Sequence, residues 1–100
     1  MSDLTGAQRK HLRGLAHGLD PVVHLGQQGL TDAVREEIDH ALEVHELIKL
    51  RFVDFKDEKK QLTGEIAQDL DAHVAGTVGH VAILYRRHPD PEKRKIHLPS

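Results

Sequence analysis

Between residues 21 and 45, a short apolar run leads into two glycines spaced three apart, and an amphipathic segment follows them. The run ends at Leu25, the glycines are Gly26 and Gly29, and Thr31 opens the amphipathic segment. Thr is a preferred N-cap residue, and apolar residues at a period of 3.6 predict a helix. Glycines let the backbone turn sharply where a side chain would hinder it. The order therefore predicts a strand, a tight loop and the N-terminus of a helix.

This arrangement predicts an anion-binding site. The first amide groups of a helix lack intrahelical partners, and the helix dipole adds partial positive charge there. A phosphate group is a suitable ligand for such a terminus. Taken alone, the loop fits an ordinary connecting turn better, because many such turns contain two glycines and bind nothing. The candidate contacts in this segment are Gly26, Gln27, Gln28, Gly29 and Thr31.

The remaining patterns predict the order α-β-α-β-α-β-β, and hence an α/β fold. A capping box at Thr5 starts a first helix, a period of two predicts a strand over residues 47–55, and Asp57 is placed to cap a third helix. Gly79-His80 predicts a hairpin turn between two further strands. Strand–helix–strand units are right-handed, so the first three strands should be parallel where adjacent, in a four-stranded mixed sheet. The apolar stripe of the first helix is Leu12, Leu15, Ala16 and Leu19.

Charge is unevenly distributed along a chain whose net charge is −2. Residues 1–35 hold four bases against three acids, residues 36–71 hold five against eleven, and residues 72–100 hold five against two. Basic ends are compatible with a polyanion ligand, because the local field rather than the total charge steers it. Solvated surface charge is the simpler alternative. The candidate phosphate contacts outside the loop are Lys10, Arg13, His17, Arg86 and Arg87.

Several function classes find little support in the composition. There is no cysteine, so disulfides and thiolate metal sites are excluded. The nine histidines show no metal-ligand spacing, and the two serines, Ser2 and Ser100, are terminal. Three aromatic residues argue against a sheet that stacks bases, and no apolar stretch is long enough to span a membrane. We therefore expect a cytoplasmic, monomeric protein that is not an enzyme and needs no metal or cofactor.

Several segments together resemble the CRM domain, named for chloroplast RNA splicing and ribosome maturation. Leu84-Tyr85-Arg86 and the run from Arg94 to Pro99 extend the resemblance nearly to the end of the chain, which is similar to the bacterial stand-alone YhbY-like members. The other segments are Leu12-Arg13-Gly14-Leu15-Ala16-His17, Pro21-Val22-Val23, Leu25-Gly26-Gln27-Gln28-Gly29-Leu30-Thr31 and His45-Glu46-Leu47-Ile48-Lys49.

The resemblance implies a fold similar to the C-terminal domain of bacterial translation initiation factor three, and RNA binding through the Gly-x-x-Gly loop and its basic surroundings. It also implies association with precursor large ribosomal subunits, so rRNA is the expected partner and ribosome assembly the expected role. Loops of this family often place a basic residue between the glycines. Here Gln27 and Gln28 stand there, so positive charge must come from outside the loop.

Residues 1–87 are expected to form one CRM-like RNA-binding domain, and residues 88–100 a basic C-terminal tail. Within the tail, we expect Ile96 to dock on the core while the rest stays mobile. An alternative function is a protein–protein adaptor on the ribosome, in which the acidic outer face of the second helix contacts basic ribosomal proteins. That face is expected to carry Glu36, Asp39, Glu43 and Glu46.

Overall fold

Three helices and four strands follow one another in the computed structural model, which describes residues 4–99. Ser2 and Ser100 lie outside the described residues. The predicted order is confirmed, and two short 3-10 turns at Lys56–Glu58 and Pro91–Lys93 add to it. No helix within residues 4–99 is long and apolar enough to cross a membrane. The elements are α1 (Gly6–Ala16), β1 (Val23–Leu25), α2 (Asp32–His45), β2 (Leu47–Phe52), α3 (Lys59–Asp69), β3 (His73–Val78) and β4 (Val81–Tyr85).

The four strands form one mixed sheet in the order β1-β2-β4-β3. β1 and β2 are parallel, whereas β4 runs antiparallel to both of its neighbours. The predicted four-stranded mixed sheet is therefore confirmed. The hairpin turns at Gly79 and His80 as predicted, and it inserts β4 between β2 and β3.

The sheet carries a hydrophobic core on each face. Ile48, Leu50 and Phe52 of β2 belong to the core that includes residues of α2 and α3. Leu47 belongs to the second core, together with residues of α1. Successive side chains of a strand point to opposite faces, so Lys49 and Arg51 lie on the α1 side of the sheet.

The first helix begins as predicted but buries a narrower stripe. Thr5 Oγ1 accepts from the Gln8 amide at 3.1 Å, which completes one half of the capping box. Leu12 and Ala16 are fully buried, whereas Leu15 and Leu19 are 45% and 40% exposed. The stripe prediction is wrong for these two leucines. Because α1 ends at Ala16, Leu19 is no longer on the helix, and both side chains line an open apolar groove instead.

The start of the third helix differs from the prediction. Phe55 adopts a left-handed conformation with φ +57°, and its carbonyl accepts from the Glu58 amide at 3.1 Å. The chain therefore already turns as a 3-10 helix at Asp57. Glu58 occupies the cap position of α3 without a side-chain hydrogen bond, so the prediction of an Asp57 cap is wrong.

The C-terminal segment is bound to the domain through Glu46. This side chain is 1% exposed, so its assignment to the acidic outer face of α2 is wrong. Its carboxylate accepts from the backbone amides of His88 at 2.9 Å and Ile96 at 3.2 Å, and also from that of Lys95. The buried carboxylate therefore holds both ends of residues 88–96 against the end of α2.

Apolar contacts support the same attachment. Ile96 and Leu98 both pack against the second core, and Gln8 Nε2 donates to the Pro99 carbonyl at 3.1 Å. Tyr85 lies fully buried in that core. Burial raises the pKa of its hydroxyl, the nearby Glu46 carboxylate raises it further, and Arg87 opposes the shift.

We predict that Glu46→Ala lowers the free energy of unfolding by about 3–5 kcal/mol, because three hydrogen bonds to a charged acceptor are lost and the amides are left unpaired, while the desolvation cost of the buried carboxylate is removed. Glu46→Gln should cost less, since its amide oxygen still accepts. Urea unfolding measures both variants. Glu43→Ala, an exposed change on the same helix, is the matched control. An Ala variant as stable as this control would contradict the role given to Glu46.

We also predict that removing residues 88–100 lowers the melting temperature well beyond the effect of removing residues 99–100 alone. The longer deletion removes the packing of Ile96 and Leu98 and leaves the Glu46 carboxylate without its three amide partners. Burial of such side chains contributes roughly 1.5–3 kcal/mol when complete. Equal melting temperatures for the two deletions would show that the tail contributes nothing to folding.

Candidate functional site

The loop between β1 and α2 is a tight turn closed by its own backbone. The Gly29 amide donates to the Gly26 carbonyl at 3.0 Å, and the Thr31 amide donates to the Gly29 carbonyl at 3.1 Å. Gly29 is buried at φ +71°, and a Cβ there would lie 3.4 Å from the Phe55 ring. Gly26 differs, because a Cβ there would meet no atom within 4 Å. Gly29 thus shapes the turn, while the position beside Gly26 is open.

The other loop residues contribute hydrogen-bonding groups rather than charge. Gln27 and Gln28 are exposed at the tip, where their amides can donate and accept. Thr31 caps α2 as predicted, since its Oγ1 accepts from the Val34 amide at 3.2 Å. Asp32 places a carboxylate in the first turn of the same helix. The positive charge needed by a phosphate must therefore come from other elements.

The first helix supplies part of that charge. Lys10 and Arg13 are exposed on α1, and His17, which caps the end of that helix, is exposed as well. Arg13 lies across β3, where its Nη1 donates to the Ala75 carbonyl at 3.1 Å. Gly76 permits this approach, because a Cβ there would come within 2.7 Å of Arg13 Cδ. The Arg13 side chain is therefore positioned over the sheet.

Two strands supply basic residues that were not among the predicted contacts. His24 of β1 pairs with Arg51 of β2, and both are exposed. Lys49 lies two residues earlier on β2, and its Nζ donates to the Leu19 carbonyl at 2.8 Å. In the sequence of β2, polar and apolar residues alternate, and this pattern places Lys49 and Arg51 on the opposite face from Ile48 and Leu50. Which face of the sheet stays open could not be inferred from that alternation.

The structure does not bring Arg86 and Arg87 together with the loop. They follow β4, which runs antiparallel to β2 and hence opposite to β1, so they lie at the other end of the sheet. Arg86 Nη1 is 2.6 Å from Asp39 Oδ1 and donates to the Leu70 carbonyl at 3.1 Å, while Nη2 donates to the Asp39 carbonyl at 3.0 Å. Its guanidinium connects α2 to the end of α3. Arg87 is exposed.

The loop, α1 and β2 each contribute hydrogen-bond donors or positive charge. The exposed side-chain amides of Gln27 and Gln28 can donate hydrogen bonds to phosphate oxygens. The basic side chains of α1 and β2 can neutralise the phosphate charge. Among residues 4–99, no cluster of three or more His, Asp or Glu side chains is positioned to hold a metal ion.

Comparisons with known proteins show the family and the relatives of this chain. The model of the CRS1 / YhbY (CRM) domain matches residues 4–86. An RNA-binding protein of Haemophilus influenzae is 44% identical over 99% of this chain and 98% of its own length. The Bacillus subtilis protein named "probable RNA-binding protein YqeI" is 31% identical over 96% of this chain and 99% of its own length.

The fold is also found in a solved structure. The solution structure of a Staphylococcus aureus protein, named as a candidate RNA-binding protein, has a TM-score of 0.79 at 32% identity and covers 96% of this chain and 99% of its own. The family match, the relatives and the shared fold confirm the resemblance drawn from the sequence segments. This chain belongs to the CRS1 / YhbY (CRM) domain family.

Proposed function

We propose that this protein binds RNA through the loop Gly26–Gly29 and the bases of α1, without catalysing a reaction. The observation that carries the proposal is the space beside Gly26, which lets a phosphate group approach the turn and the start of α2. The loop side chains bring donors, and α1 brings Lys10, Arg13 and His17. The names of the relatives support RNA as the ligand.

We further propose that the RNA is rRNA of the precursor large ribosomal subunit, and that the protein acts in ribosome assembly in the cytoplasm. This part rests on the family resemblance. A single domain that binds phosphates through a small loop is suited to holding a folded rRNA segment. Arg86 is outside the proposed interface, because Asp39 and Leu70 already hold its guanidinium.

We predict that Gly26→Asp weakens RNA binding at least tenfold while the protein stays folded, since it places a carboxylate where phosphate should lie and meets no neighbouring atom. Gly26→Ala controls for the loss of glycine and should bind nearly normally. Filter binding gives the affinities, and circular dichroism checks the fold. Gly29→Asp is a poorer test, because its φ of +71° and the Phe55 ring would strain the fold itself.

The same variants test the ribosomal part of the proposal. In cell extracts separated on sucrose gradients, the wild-type protein should sediment with precursor large subunits, and Gly26→Asp should remain at the top. Sedimentation of both with the precursors would instead favour a protein contact, such as one made by the exposed Glu36 and Glu43 of α2.

We predict that Lys10→Ala weakens binding about equally for RNAs of different sequence, because a phosphate contact carries no base information. The slope of log K against log salt should flatten by about 0.7–0.9 for one lost contact. Lys60→Ala, an exposed change on α3 beyond the other face of the sheet, is the control. A slope equal to that of the control would place Lys10 outside the interface.

A further inference from the structure

We infer that the RNA bound at this surface is double-stranded and that an open strip of the sheet lies against its phosphate backbone. The open strip consists of His24, Arg51, Val81 and Val78, and the partly exposed Lys49 lies beside it. The inference rests on the proposed RNA binding and adds to it the class of RNA and a second contact surface. Neither Lys49 nor Arg51 was among the predicted contacts.

The strip is left free because α1 covers only part of its side of the sheet. Leu12 and Ala16 of α1 pack in one core with Leu47, Ile83 and Tyr85. The next row of cross-strand neighbours lies closer to the loop. In it His24 pairs with Arg51, Arg51 with Val81, and Val81 with Val78. Neighbouring strands lie about 4.8 Å apart, so this row spans about 14 Å.

The row lies at the same end of the sheet as the Gly26–Gly29 loop. That loop directly follows β1, and His24 is two residues before Gly26. His24 and Arg51 are exposed, and Val78 is 64% exposed. A ligand that reaches the loop therefore also meets the strip without a rearrangement of the backbone.

Positive charges are held on the strip and beside it at fixed spacings. Lys49 and Arg51 are two residues apart on β2, which corresponds to about 7 Å. Arg13 lies over Gly76, which is two strands away from Lys49 in the register, or about 10 Å. One acid, Asp54, lies close to the end of β2, and its carboxylate accepts a hydrogen bond from the Phe55 amide at 2.9 Å. Basic side chains on a rigid sheet suit a ligand whose phosphates are equally rigid.

Single-stranded RNA lacks a suitable platform here. Proteins that bind single strands combine positive charge with exposed aromatic side chains on which bases stack. This chain has three aromatic residues. Phe52 and Tyr85 are each 1% exposed, and the Phe55 ring lies beside Gly29. Apart from the His24 ring and the Arg51 guanidinium, the open strip therefore offers bases no stacking surface.

A double helix of RNA matches what the surface does offer. Its bases are already stacked on each other, and its wide, shallow minor groove displays 2′-hydroxyls and base edges between the two phosphate backbones. Gln27 and Gln28 at the loop tip carry the donors and acceptors that a 2′-hydroxyl requires. The loop and the open strip then contact successive parts of one backbone.

The test compares a perfect RNA duplex of about 16 base pairs with an unstructured single strand of the same length, using wild-type protein and Arg51→Gln. We expect the wild type to bind the duplex at least tenfold more tightly. Arg51→Gln should weaken duplex binding several-fold and lower the salt slope by about 0.9, whereas Arg51→Lys should restore the slope. Lys60→Ala serves as the control, and circular dichroism verifies the fold of each variant.

The outcomes separate the inference from the proposed function. Equal or tighter binding of the single strand overturns the assignment to double-stranded RNA but leaves RNA binding by the loop intact. Duplex binding that Gly26→Asp abolishes and Arg51→Gln leaves unchanged overturns the contact at the open strip. If the wild type binds neither RNA and does not sediment with ribosomal precursors in extracts, the proposed function itself is overturned.

Discussion

The buried carboxylate of Glu46 joins the end of α2 to both ends of residues 88–96, which are more than forty residues away in the chain. Its backbone has φ +63° and ψ −44°, a sparsely populated conformation outside the left-handed helical region that costs a residue with a Cβ about 1–3 kcal/mol. Hydrogen bonds to a charged acceptor offset that cost. The same contact brings Ile96 and Leu98 onto the second core and keeps Tyr85 buried, where the raised pKa of its hydroxyl reflects both burial and this carboxylate.

The two cores divide the sheet into parts with different roles. On the α2 and α3 side, apolar residues of all the strands are covered. On the α1 side, one short helix and the C-terminal segment cover only the rows near Tyr85 and Ile83. The uncovered row therefore carries the exposed His24 and Arg51 together with Val81 and Val78. A short α1 is the structural condition for an open, positively charged surface on this side.

This division also explains how a chain of net charge −2 can attract a polyanion. The exposed acids of α2, among them Glu36 and Glu43, lie beyond the opposite side of the sheet from the bases of α1. Exposed charges further apart than about 8 Å are largely screened at physiological salt. The acids of α2 therefore add little to the field near Lys10, Arg13 and Arg51, whereas Asp54 follows Arg51 by three residues and opposes its charge. Asp39, which pairs with Arg86, contributes to the fold instead.

Local patterns in the sequence were sufficient for the capping box at Thr5, the alternation of β2, the hairpin at Gly79 and the turn at Gly29, because each depends on neighbours within a few residues. The predicted phosphate contacts rested partly on such patterns and partly on a family resemblance. Both kinds of information describe only which residue types follow one another along the chain. Neither specifies which element will cover a given face.

Tertiary structure alone decided the burial of Glu46, the exposure of Leu15 and the separation of Arg86 from the loop. Glu46 meets amides more than forty residues away, and α1 covers a smaller area than its apolar stripe predicts. An apolar or charged side chain has the same local pattern whether or not another segment packs on it. Only the packing of distant segments determines which side chains remain open to a ligand.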